Sequence, residues 1–189
     1  MMNKPKIVAI VGSLRKDSYN RQLAEAAKAV VGDRADFELL EYADIPFFNE
    51  DIETPVPGQI ARVRSIVAAA DGIWFFTPEY NHFFSGVLKN LLDWLSRAPD
   101  TGEPHTLWEK PTAISGITPG TLGTALSQDH LVTLISLLNM KVMNAPRLRI
   151  SGATKQLNAE GRLELTTSAP FLRQQAEAFL SFIQSGNRV

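Results

Sequence analysis

Apolar residues in this chain fall into two alternating kinds of run. Short, unbroken runs are separated by longer stretches in which apolar positions recur every three or four residues. Ile7-Val8-Ala9-Ile10-Val11 is the first short run, closed by Gly12. An unbroken β-branched run of this kind predicts a strand buried on both faces, as in a parallel sheet. A polar stretch follows. Then Leu23, Ala27 and Val30 fall on one helical face, with Asp17 or Ser18 as N-cap and Gly32 as the stop. Phe37 to Leu40 predicts a second strand, and an irregular stretch from Ile45 to Glu50 continues through Pro55 and Pro57. Ile60, Val63 and Val67 predict a helix that ends before Asp71-Gly72. Ile73-Trp74-Phe75-Phe76 is a third buried strand, stopped by Thr77-Pro78.

The second half repeats the alternation. Gly86 to Arg97 predicts a helix with Val87, Leu88, Leu91, Leu92, Trp94 and Leu95 apolar. That arc is wider than one core-facing stripe needs, which predicts a second buried face at a subunit contact. Asp100 to Trp108 is a loop, Pro111 to Ile114 a fourth strand, and a Gly/Pro/Thr loop runs to Gly123. Ala125 to Leu138 is a fourth helix. Val142 to Ile150 contains a fifth strand, which Pro146 restricts to an edge or a bulge. A turn-rich segment covers 151–162, and a last helix runs from about Pro170 to Gln184.

Strands and helices thus alternate five times in one α/β domain spanning 1–189, with no linker and no repeat. Such a pattern predicts a parallel sheet with right-handed crossovers. Ligands of these sheets bind at the carboxyl ends of the strands, where strand order reverses. The loops after the first, third and fourth strands are therefore the candidate site.

Composition narrows the chemistry. The chain has 189 residues, 44% of them apolar and 21% charged, enough for one core. A net charge of −1 leaves no basic footprint for nucleic acid. There is no cysteine, so disulfides, thiolate metal sites, iron–sulfur clusters and thiol redox chemistry are excluded together. Redox work would have to ride on a bound cofactor. His82, His105 and His130 are scattered without ligand spacing, and no metal site is expected. No run reaches the roughly 18 apolar residues of a membrane span. The first apolar run lacks a cleavage signal, so a cytoplasmic protein is expected.

The first loop, Gly12 to Asn20, offers hydroxyls at Ser13 and Ser18, the Arg15 guanidinium, and backbone N–H groups where a helix opens. These are the parts of a phosphate site. They are also the parts of an ordinary polar turn with a capping serine. The P-loop spacing and the three glycines of a dinucleotide fingerprint are both missing. Glu41, at the end of the second strand, is accordingly read as an exposed strand end. The second loop, Thr77 to Gly86, carries aromatic rings that would flank a planar ligand or tuck into a subunit contact. Glu79 within it reads as a capping or solvated group. The third loop, Ser115 to Gly123, has glycines that permit close backbone approach or simply make a flexible turn.

Taken together, these loops resemble the NAD(P)H-dependent FMN reductase family of flavodoxin-like proteins, which includes quinone and chromate reductases. The resemblance covers nearly the whole chain. It is most specific at Gly12-Ser13-Leu14-Arg15-x-x-Ser18-x-Asn20 and at Pro78-Glu79-Tyr80-Asn81, followed by Ser85-Gly86-Val87-Leu88-Lys89-Asn90-x-x-Asp93-Trp94. It implies a flavodoxin-like three-layer sandwich with a five-stranded parallel sheet in the order 2-1-3-4-5. It implies that Ser13, Arg15, Ser18 and Asn20 hold the FMN phosphate, with Tyr19 beside them. Pro78, Glu79, Tyr80 and Asn81 would border the flavin ring, and Ser115 and Gly116 would lie along its other edge. The family's glycine-rich run after that Ser-Gly is replaced here by Ile117-Thr118-Pro119. The implied activity is hydride transfer from NADPH or NADH through FMN to a small acceptor: a quinone, free flavin, chromate or an azo compound. No side chain is required as general acid or base. The apolar excess of the Gly86 to Arg97 helix, together with Phe83 and Phe84, predicts a homodimer or homotetramer. The alternatives are a flavodoxin-type electron carrier, which the charge of −1 disfavours because such carriers tend to be strongly acidic, and a non-enzymatic nucleotide-binding module.

Overall fold

The structure, a computed structural model, describes residues 4–99 and 102–186. Asp100 and Thr101 of the expected loop, and both ends of the expected 1–189 domain, lie outside the described residues. The elements are β1 (Lys6–Val11), α1 (Tyr19–Val31), β2 (Asp36–Leu39), α2 (Gly58–Ala68), β3 (Gly72–Phe76) and α3 (Gly86–Leu95). They continue with β4 (Pro111–Ile117), α4 (Ala125–Leu137), β5 (Lys141–Val142), β6 (Leu148–Ile150) and α5 (Ala169–Gly186).

The strands form one parallel sheet in the order β2-β1-β3-β4-β5, with β6 also paired to β4. This is the flavodoxin-like α/β fold. Both faces of the sheet are covered, which is why β1 and β3 read as unbroken apolar runs. Ile7, Ala9 and Val11 of β1 face α1 and α5, in a core that includes Leu23, Ala27, Leu172, Phe179 and Ile183. Trp74 sits at its centre, stacked on Phe76 at 5.3 Å and edge-on to Phe179 at 5.4 Å. Val8 and Ile10 face the opposite layer, built by α2, α3 and α4 around Leu88, Leu91, Leu131 and Ile135.

Three expectations are corrected. The fifth strand over 142–150 is two strands: β5 pairs with the start of β4 and β6 with its end. Pro146, which has no N–H to donate, lies in the gap between them. The fourth strand does not stop at Ile114. Ser115, Gly116 and Ile117 pair with β6, so β4 runs three residues further and takes Ser115 and Gly116 into the sheet. The wide apolar arc of α3 needs no second subunit. Leu88, Leu91, Leu92, Trp94 and Leu95 are buried within the chain itself. The stretch after β2 covers the extra face: Trp94 Nε1 donates to the Pro46 carbonyl at 2.9 Å, and Phe48 packs edge-on against Trp94 at 5.0 Å. Asn90 clamps the same stretch from α3, donating to Pro46 O and accepting from Phe48 N.

Among the described residues, no helix is long and apolar enough to cross a membrane.

Candidate functional site

The loops after β1, β3 and β4 meet at the carboxyl edge of the sheet. The contact begins at Gly12, whose N–H donates to Phe76 O at 2.8 Å. A Cβ at this position would stand 2.9 Å from Pro78 Cδ and 3.3 Å from Ser85 Oγ. Only glycine lets the first loop lie directly against the second.

One wall of the resulting cleft is the start of α1. Ser18 is the N-cap and accepts from Arg21 N at 3.3 Å, which leaves its own hydroxyl hydrogen free. The N–H groups of Tyr19 and Asn20, in the first turn, have no intrahelical acceptor. They point with the positive end of the helix dipole. Ser13 Oγ accepts from Arg15 N at 3.4 Å. The Arg15 guanidinium lies over the Tyr19 ring, 5.0 Å from its centroid. Among the described residues no carboxylate bridges Arg15, whereas Arg21 is paired with Glu41 and Arg62 with Asp44. Asn20 is committed differently. It is buried, and its side-chain amide both donates to Ile117 O at 3.0 Å and accepts from Ile117 N at 3.1 Å. It ties α1 to the end of β4, keeping a backbone N–H and one amide hydrogen for a ligand.

The second wall is Pro78, Glu79 and Tyr80. The Tyr80 hydroxyl stands 3.5 Å from Ser13 Oγ across the cleft mouth. Tyr80 and Phe83 close a tight turn through two backbone hydrogen bonds, with Asn81 at φ 51° and His82 at φ 64°. Two successive left-handed residues are the pattern of a type I′ turn. Asn81, expected beside the ring, is exposed at the tip of this turn. Glu79 is a cap. Its carboxylate accepts from Ser127 N in the first turn of α4 at 3.1 Å. The helix's own N-cap, Thr124, lies at φ 64° and caps nothing with its side chain. A carboxylate there also suits the helix dipole. Ser127 Oγ meanwhile donates to Pro78 O at 2.8 Å and sits 2.9 Å from Thr77 Oγ1.

Ser127 was not anticipated from the sequence, although a signal exists. It lies on the same helical face as Leu131 and Ile135, and a serine on a buried apolar face calls for a partner.

The third wall is Ile117, Thr118 and Pro119. Ser115 and Gly116, expected along the ring edge, do not reach the cleft. Ser115 is fully buried, accepting from Trp74 Nε1 at 2.8 Å and donating to Gln175 Oε1 at 2.6 Å. A Cβ on Gly116 would meet Thr124 Oγ1 at 2.0 Å and Thr77 O at 2.6 Å. Its glycine serves the packing of β4 against the start of α4 rather than ligand approach.

The cleft encloses about 270 Å³. Two larger depressions, of about 440 and 660 Å³, lie elsewhere, but Arg34 and Arg97 there already hold Glu177 and Glu53, and Arg64 donates to the Trp94 carbonyl. Here, by contrast, a guanidinium that bridges no carboxylate among the described residues, two hydroxyls and the first N–H groups of α1 lie beside an open slot. The chemistry of those residues fits a mononucleotide, whose anion a helix N-terminus and a guanidinium would favour. Among the described residues, no group of three or more His, Cys, Asp or Glu is placed to hold a metal ion.

Comparison with known proteins agrees with this picture. The family model described as NADPH-dependent FMN reductase matches residues 5–155. An NAD(P)H-dependent FMN reductase of Pseudomonas aeruginosa is 36% identical over 185 residues, covering 97% of this chain and 98% of that protein. A 2-hydroxy-1,4-benzoquinone reductase of a Burkholderia species is 33% identical, covering 95% of this chain and 96% of its own. Among solved structures, the flavoenzyme NAD(P)H:(acceptor) oxidoreductase FerB of Paracoccus denitrificans superposes with a TM-score of 0.87 at 30% identity, over 96% of this chain and 98% of that one. A match of this extent, on a chain with this sheet order and this first loop, settles its kinship: the chain belongs to the NADPH-dependent FMN reductase family.

Proposed function

We propose that this chain is an FMN-dependent oxidoreductase that takes hydride from a reduced nicotinamide nucleotide and reduces a small quinone-type acceptor. The observation that carries this reading is Arg15, which bridges no carboxylate among the described residues and lies over the Tyr19 ring at the start of α1, in the lining of a slot between two loops. The names of the Pseudomonas and Burkholderia relatives point the same way.

In this reading Ser13, Arg15, Ser18 and the N–H groups of Tyr19 and Asn20 hold the phosphate of FMN. Bound FMN supplies the two-electron chemistry, so that NAD(P)H, a quinone and a proton yield NAD(P)⁺ and the hydroquinone. The protein positions the ring and excludes water. Pro78 to Tyr80 and Ile117 to Pro119 flank it. The Tyr80 N–H is committed to Phe83 O, while those of Glu79 and Asn81 on either side of it have no acceptor among the described residues. Donors fixed in this way favour negative charge on a reduced ring. No side chain acts as general acid or base.

A homodimer or homotetramer belongs to the same reading, now supported from another surface. Leu126 and His130 lie one turn apart on the outer face of α4, and Phe83 stacks on His130 at 4.4 Å. Phe83, Leu126 and Tyr80 remain exposed beside the cleft. Residence in the cytoplasm, where reduced nicotinamide nucleotides are supplied, completes the reading.

Anaerobic rapid mixing of the FMN-loaded protein with NADPH or NADH should bleach the flavin, and 1,4-benzoquinone should restore it. Parallel runs with free FMN, chromate and an azo dye rank the acceptors. A flavin that stays oxidised with both nucleotides would make the protein an electron carrier. A colourless protein that ignores added FMN would make it a nucleotide-binding module.

A further inference from the structure

We propose that a second cleft, on the β2 side of the first loop, binds the 2′-phosphate of NADPH and so sets nucleotide preference; the inference rests on the oxidoreductase reading above. This cleft encloses about 270 Å³ and shares Ser13 and Arg15 with the flavin cleft, opening on the other side of the same ridge. Its floor is apolar and rigid. Leu40 and Tyr42 are buried there, and the Tyr42 hydroxyl is pinned to Val11 O at 2.6 Å. Leu14, half exposed, supplies a flat apolar flank at the rim.

The charges at the rim are what the ligand must match. Arg15, Lys16 and Arg21 line the cleft against one carboxylate, Glu41. Arg21 is held by Glu41, while among the described residues Arg15 and Lys16 bridge no carboxylate. On a protein of net charge −1 this is a local excess of positive charge. Arg15 is the phosphate ligand of the first cleft, so the cations left for a second anion are Lys16 and Arg21. A ligand with a dianionic phosphate beside a flat apolar group matches this lining. The phosphorylated adenosine end of NADPH is such a group, and a dinucleotide lying across the ridge keeps its nicotinamide at the first cleft. Glu41 works against it by occupying Arg21. Removing the Lys16 charge and removing the Glu41 charge therefore act in opposite directions.

The test is calorimetric titration of the FMN-loaded protein with adenosine 2′,5′-bisphosphate and with 5′-AMP. The parent should bind the bisphosphate about tenfold more tightly, the scale of one charge-assisted phosphate contact. Lys16→Glu should abolish that preference, and Glu41→Gln should increase it several-fold. Both variants should keep their full FMN content, and the ratio of KM for NADH to KM for NADPH should move in the same directions. Equal affinity for the two ligands in the parent, or an unchanged preference in both variants, overturns the proposal. Failure to bind FMN, or failure of both nucleotides to bleach it, strikes the oxidoreductase reading instead.

Discussion

Arg15, Gly116 and His105 show how much a residue's role depends on its neighbours. Arg15 is one of several arginines in the chain, but it lies over the ring of Tyr19, the first residue of α1, with no carboxylate bridging it among the described residues. Arg15→Ala should weaken FMN binding by about 1–3 kcal/mol, read by fluorescence titration. Gly116 looks like a ligand-loop glycine in the sequence, yet the backbone of Thr77 and the side chain of Thr124 crowd the place a Cβ would take. Gly116→Ala should therefore lower stability by about 1–3 kcal/mol in denaturant melts. His105 has a buried Nδ1 with no partner among the described residues, and burial lowers its pKa. The unfolded chain then binds the proton more readily than the folded one. Stability contributed at this site is intact above the usual histidine value of about 6.5 and falls as pH drops through the folded pKa. Melts between about pH 8 and pH 5 should lose less stability in His105→Gln than in the parent.

At the scale of elements, the second wall of the cleft is fixed by its contacts with α4. Helix α4 opens with its own cap residue in the left-handed region, and a carboxylate from the β3 loop caps it instead. The same contact fixes Pro78 to Tyr80, because Ser127 bonds the Pro78 carbonyl. Glu79→Ala should cost about 1 kcal/mol of stability through the lost cap, with Glu79→Gln recovering much of it. Ser127→Ala should weaken FMN binding although Ser127 lies outside the cleft lining, and its effect should not add to that of Glu79→Ala. A double-mutant cycle on FMN affinity measures this. Strand edges obey a similar logic. The apolar pattern marked β4 correctly at its start. Its end was set by β6, whose pairing drew Ser115 and Gly116 into the sheet.

For the whole molecule, the decisive change is in what covers α3. Its broad apolar arc is closed by Pro46 and Phe48 of the same chain, so a partner is not needed there. The exposed face proposed for a second copy is instead Phe83 with Leu126 and His130 of α4. Sedimentation at micromolar concentration should show a dimer or larger species, and Leu126→Asp should shift it toward monomer. A parent that sediments as monomer at all concentrations removes the subunit contact from the account.

The positions of the first three strands and the helix faces were legible in the linear chain, and the sheet order was implied by the family motifs. The strands and helix faces depend on local periodicity, on caps, and on residues close together in sequence, and those are properties a one-dimensional pattern carries. What needed the folded molecule was every fact that joins distant segments. Asn20 to Ile117, Glu79 to Ser127, and Trp94 to Pro46 are each made by side chains or carbonyls whose partners lie in other elements. No spacing rule encodes such pairs, because side-chain type alone does not say which backbone group the fold will bring within reach. The sequence therefore offered the polar groups of the cleft, and tertiary packing decided which of them remain free there.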